Sequence, residues 1–137
     1  MPMKKAIIHE FDPVIYPFRL WVSVNPSHED ISEKFYALTE DMDRMDISKD
    51  QFDHDRFSIA TTCPVSDKES GWIGTIVCIW IPKRFTINQL CHESAHVSDY
   101  CFGRFGMGNR SFVDGEPYAY FIGWIAECIE KVKKNSV

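Results

Sequence analysis

The stretch WIGTIVCIWI, residues 72–81, decides the fold. It is apolar on both faces and rich in β-branched residues, so it reads as an inner strand of a covered sheet. Pro82 ends it. Before it, FSIATTC (57–63) reads as a second strand and PVSDKESG as the turn between the two. The spacing predicts an antiparallel hairpin. After it, Thr86 and Gln89 give a T-x-x-Q capping box. Ile87, Leu90, Cys91, Ser94, Ser98 and Cys101 then recur as one apolar face of a helix over 87–102, with Gly103 as its stop.

Further out, FRLWVSV (18–24) alternates, with Phe18, Leu20, Val22 and Val24 opposite Arg19, Trp21 and Ser23, as a half-buried strand would. Ile31, Phe35, Leu38 and Met42 predict a helix over 28–42, and the acidic segment 43–55 reads as a surface loop. A last helix is expected over 115–133, with Pro117 in its first turn and an apolar stripe of Tyr118, Phe121, Ile122, Ile125, Cys128 and Ile129. Strands and helices do not alternate regularly. The expected class is therefore α+β: one domain over 1–137, with a short antiparallel sheet packed against the 87–102 helix and two further helices.

Composition narrows the function. The chain has 137 residues, 45% of them hydrophobic, which suits one globular core. The net charge of −5 comes without a basic run, so no nucleic-acid face is indicated. No stretch is long enough for a membrane span, and MPMKKAIIHEFDP has no apolar run of signal-peptide length. The five cysteines (63, 78, 91, 101 and 128) are odd in number and lack CxxC spacing. Reduced thiols in a cytoplasmic setting are expected.

The chemistry concentrates in CHESAHVSDY, residues 91–100. His92-Glu93-Ser94-Ala95-His96 matches H-E-x-x-H. Residues i and i+4 share one face of a helix, so His92 and His96 can reach one zinc ion. Glu93 lies about 100° around the helix, where its carboxylate can act as general base on water. A catalytic zinc usually takes a third protein ligand. Glu116 is the candidate, on a face of the last helix shared with Tyr120, Gly123 and Glu127; Gly123 would let the two helices approach closely. Asp99 is read as a support for a ligand imidazole. His54, between two aspartates, reads as a solvated loop residue, and Cys91 as core. The glycine-rich segment 103–112 reads as a lid.

These residues resemble the zincin-type metallopeptidases, in the gluzincin arrangement of HExxH on one helix and a glutamate on the next. The resemblance covers roughly residues 57–130 and implies a small zincin-like domain holding Zn2+ through His92, His96 and Glu116. It also implies a peptide or protein substrate laid against an edge strand. The size is similar to that of small HExxH proteins of phage and prophage gene sets. There are departures. Glu116 stands in GEPYAYF, and no histidine follows His96, so Tyr100, Tyr118, Tyr120 and Arg104 stay open as oxyanion donors. Asp99 and Phe102 stand where a metzincin has glycine and a third ligand. Two functions follow: a zinc-dependent peptidase, or a non-catalytic zincin-like binding or scaffold protein with structural zinc or none. A helix carrying two histidines by chance is the third reading.

Overall fold

The computed structural model describes residues 5–107 and 115–136. In chain order it holds β1 (Ile8–Phe11), β2 (Arg19–Val24), α1 (His28–Lys34), β3 (Phe35–Leu38), β4 (Arg44–Met45), α2 (Lys49–Asp55), β5 (Ala60–Asp67), β6 (Ile73–Ile79), a 3-10 turn at Pro82–Arg84, α3 (Ile87–Arg104) and α4 (Glu116–Lys134). The class is α+β. Among the described residues the sheet has six strands, in the order β1-β2-β6-β5-β3-β4, and is mixed: β2 and β6 are parallel, the other neighbours antiparallel. The expected sheet was shorter and wholly antiparallel, and three helices were expected where four α-helices are described.

β6 is the inner strand its composition demands, paired with β2 from Arg19↔Gly74 to Val24↔Ile79 and with β5 from Ala60↔Ile79 to Ser66↔Ile73. The hairpin forms as expected, but β5 runs on through Pro64 to Asp67, so the turn begins later. Asp67 builds that turn. Its Oδ1 accepts from the amides of Glu69 (2.8 Å) and Ser70 (3.3 Å), and Lys34 Nζ donates to Oδ2 at 2.8 Å.

Both faces of the sheet are covered. Leu20, Val22, Val77 and Ile79 pack under α3 and α4, which contribute Val97, Cys101, Ile125 and Ile129. Trp21, Val65, Ile76, Cys78 and Trp80 pack on the other face, against Ile31, Phe35 and Phe52. β2 is therefore fully buried at Trp21 and Ser23 rather than half-exposed. The polar-looking face of FRLWVSV is covered because Trp21 packs edge-on against Phe35 and the Ser23 hydroxyl donates to the Ile7 carbonyl.

The N-terminal half departs furthest from expectation. The helix over 28–42 stops at Lys34, and Phe35 turns extended (φ −125°, ψ 149°) to begin β3. Three backbone pairings with β5, from Phe35↔Asp67 to Ala37↔Val65, compete successfully with the helix. Phe35 and Leu38 are buried either way, so helical spacing could not separate the two outcomes. The expected loop 43–55 holds β4 and α2. Ser48 caps α2, and Phe52 is buried edge-on to Trp80 at 5.4 Å between ring centres. α3 starts at its capping box, with Thr86 N–H donating to Gln89 Oε1 at 2.9 Å. It runs through Gly103 and ends near Gly106, whose φ of +74° favours glycine. The supposed lid lies outside the described residues from 108 onward. α4 buries Phe121, Ile125, Cys128, Ile129 and Val132, so the Glu116–Tyr120–Gly123–Glu127 face is the solvent face. Gly123 does not serve close helix packing, since a Cβ there would meet nothing within 4 Å.

Two glycines should respond in opposite ways to alanine. A Cβ on Gly74 would stand 1.8 Å from the Arg19 carbonyl oxygen, where β2 and β6 begin to pair. Gly74→Ala should lower stability by about 3 kcal/mol. Gly123→Ala should raise it by about 0.5–1 kcal/mol. Urea denaturation of both variants checks the pair. A third variant tests the turn. Burial pushes the Asp67 carboxyl up, but the Lys34 ammonium and two backbone amides outweigh it and hold it below its usual value. Such a group stabilises the fold above its unfolded pKa, and that stability is lost as pH falls through the lower, folded value. Asp67→Asn should cost about 1.5 kcal/mol at neutral pH. Denaturation at stepped pH should show the gap closing below about pH 4.

Candidate metal centre and cleft

Glu93 organises the site. It is only 6% exposed, and its Oε2 accepts the Thr62 hydroxyl of β5 at 2.6 Å. A buried carboxylate needs such a donor, and meeting that need sets the rotation of α3. The buried face is Glu93, Ser94, Val97, Ser98, Cys101 and Phe102. Ile87, expected in the core, is 77% exposed, and Cys91, expected as core, is exposed too. Ser94 and Ser98 are fully buried, and their small side chains let α3 lie close to the sheet.

The same rotation leaves His92 and His96 exposed, with their Nε2 atoms 3.1 Å apart. One ring can donate Nε2–H to the other if the second carries its proton on Nδ1. Two bonds of about 2.0–2.1 Å to one zinc ion also span such a gap, so the imidazole pair fits half of a tetrahedral donor set. Glu116 is exposed in the first turn of α4. Among the described residues, no three His, Cys, Asp or Glu side chains gather closely enough to hold one metal ion. Asp99 accepts the Tyr118 hydroxyl at 2.6 Å, which ties the first turn of α4 to α3 one turn beyond His96.

Glu93 and His96 open onto a cleft of about 600 Å³, walled by Gln51 and Asp55 of α2, residues 60–64 of β5, Thr75 and Tyr100. Tyr100 is the tyrosine of this cleft. Tyr118 is engaged with Asp99, and Tyr120 is 75% exposed on the solvent face of α4. Among the described residues the Tyr100 hydroxyl reaches the Met42 sulfur, at 3.7 Å. Burial raises its pKa, and Arg104 offsets this only in part. Cys63 also lines the cleft, but burial, reinforced by the negative charges of Asp55 and Glu93, pushes its thiol up to about 11. It stays protonated at neutral pH and is no nucleophile. His54 is exposed, as expected, though it sits on α2 rather than in a loop.

Among the described residues, no strand pairs with the outer side of β5 along the floor of the cleft, which leaves a length of sheet edge there. The pairing of β5 with β3 ends at Ala37↔Val65, while its pairing with β6 continues to Ala60. The Asp67 amide donates to Trp72 on the β6 side, and the next amide, of Lys68, donates to Lys34 on the other side. Because backbone direction alternates along a strand, Ala60 and Thr62 turn N–H and C=O to the unpaired side. Pro64, which has no N–H, falls on that side as well.

Sequence reasoning missed Thr62 and the open edge. Tyr100 carried a legible signal: Glu93, His96 and Tyr100 stand at i, i+3 and i+7, one stripe of a helix. Comparison with protein-family models, with curated proteins and with solved structures gives no match to this chain.

If the imidazole pair holds metal, protein expressed with added zinc should carry about one zinc per chain, and His92→Ala and His96→Ala should each lose it. Elemental analysis of the folded variants decides the matter, and a metal-free wild type would refute it.

Proposed function

We propose that the chain is a zinc-dependent hydrolase acting on peptide bonds, with His92, His96 and Glu116 as zinc ligands and Glu93 as general base. One observation carries the reading: two exposed imidazoles stand with Nε2 atoms 3.1 Å apart, and one of them, His96, opens together with the buried, oriented Glu93 carboxylate onto a single cleft. The assignment of Glu116 is supported by its exposed place in the turn of α4 that Tyr118 fastens to α3. Bound there, zinc would supply Lewis-acid polarisation of the scissile carbonyl and acidify water.

The chain's own groups would do the rest. Ala60 and Thr62 offer backbone donors and acceptors to an extended peptide, which adds as a strand. Thr62 holds the Glu93 carboxylate in place. Glu93 takes a proton from the attacking water and passes it to the leaving amine. Tyr100 keeps its proton at neutral pH and donates to the carbonyl oxygen as negative charge develops. No described helix is long and apolar enough to cross a membrane, and the unpaired thiols fit the cytoplasmic setting we propose.

A second reading, a non-catalytic binding or scaffold protein with structural zinc or none, is favoured by one observation: Glu116 does not stand with the histidines as a ready-made third donor.

Kinetics on a peptide library separate the two. Glu93→Gln should keep its zinc and lose about 10²–10⁴-fold in kcat. Tyr100→Phe should lose about 10²-fold in kcat with little change in KM. A folded, zinc-loaded wild type that turns over nothing in the library would favour the scaffold.

A further inference from the structure

On the sheet face opposite α3 lies a second space, a cavity of about 240 Å³ under α2 and β4. Its walls are almost wholly apolar: Ile31, Phe52, Val65, Ile76, Cys78 and Trp80. An apolar pocket of this size leaves its lining without packing partners on the open side. It is not sealed from the cleft. Gln51, Asp55, Thr61 and Cys63 line both spaces, so the cleft and the cavity meet around the open edge of β5.

That geometry has a consequence for any strand added to the edge. Side chains of a strand point alternately to the two faces of its sheet. On β5 itself, Thr62 faces α3 and bonds Glu93, while Thr61 and Cys63 face the cavity. An added strand repeats the alternation. A residue whose side chain lies on the His96 side is followed by one whose side chain turns toward the cavity. Asp55, on the shared wall, puts a carboxylate between the two.

We propose that the cavity is a specificity pocket. Its occupant is a large apolar side chain (Leu, Met or Phe) of an extended peptide laid along Ala60–Thr62, with a basic residue next to it facing Asp55. The proposal rests on the reading that the cleft receives a peptide strand, and it does not need that strand to be cut. The lining disfavours an acidic side chain, which would find no cationic partner there and would meet Asp55.

The test uses the full chain carrying Glu93→Gln and fluorescently labelled decapeptides that differ at one central position, followed by Lys. Fluorescence anisotropy should give Leu and Phe peptides binding about tenfold or more tighter than Ala or Asp peptides, the fold-change expected for burying that side chain. Ala37→Phe, which fills the cavity from β3, should bring the peptides to within about twofold of one another. Met45 is 56% exposed at the rim, so Met45→Ala should fold normally and, by enlarging the pocket, shift preference towards Trp. It decides the question if Ala37→Phe unfolds. Equal affinities, no binding by any peptide, or an unchanged Leu-over-Trp order in Met45→Ala overturns the proposal. Wild-type cleavage without side-chain preference overturns the pocket and leaves the hydrolase reading standing. Preference without cleavage supports the pocket and removes the hydrolase.

Discussion

A carboxylate taken out of water must find a donor, and Glu93 finds it in Thr62. This single bond joins the hairpin to α3 and fixes how the helix is turned. With Glu93 inward, Val97 and Cys101 follow it into the core, and the small Ser94 and Ser98 let the helix settle close to the sheet. His92 and His96 are left outside, one turn apart, with their nitrogens converging. A helix rotated to bury Cys91 and Ile87 would carry the same residues and would not present this group. The candidate site is thus a by-product of a burial problem solved at one position.

The sheet makes that solution possible. β6 is held on both sides, by β2 in parallel and β5 in antiparallel pairing, and helices cover both faces. At Gly74 the strands approach so closely that the absence of a side chain is itself structural. β5 is the strand that moves from interior to edge along its own length. Its Asp67 end is locked by Lys34 and a tight turn, while its Ala60 end is paired, among the described residues, on the β6 side alone. The chemically interesting residues sit at this loosened end.

The C-terminal half of the molecule was legible in the sequence because its signals are local. The capping box at Thr86 and Gln89, the proline at the start of α4 and the doubly apolar run of β6 each name their own structure. The N-terminal half was not, because its outcome depends on distant partners. Phe35 and Leu38 suit a buried helix or a buried strand equally, and only the pairing with β5 decides. Ser48 and Phe52 mark a short helix, yet acidic neighbours mask it. The site divides in the same way. The histidine spacing and the i+7 relation of Glu93 to Tyr100 are written along one helix. Thr62 and the cavity under α2 come from elements brought together across the sheet, which no periodicity records.

Pro64 carries a further consequence. An exposed run of unpaired strand invites other molecules of the same protein to stack on it and grow a continuous sheet. Here the unpaired run offers backbone bonds at Ala60 and Thr62, and then meets a residue with no N–H to give. Past Pro64, β3 already occupies the edge. A long strand from a neighbouring copy would find its hydrogen bonding interrupted after a few residues, whereas a short peptide needs no more than that. The proline protects this edge against self-association and leaves it open to a small visitor.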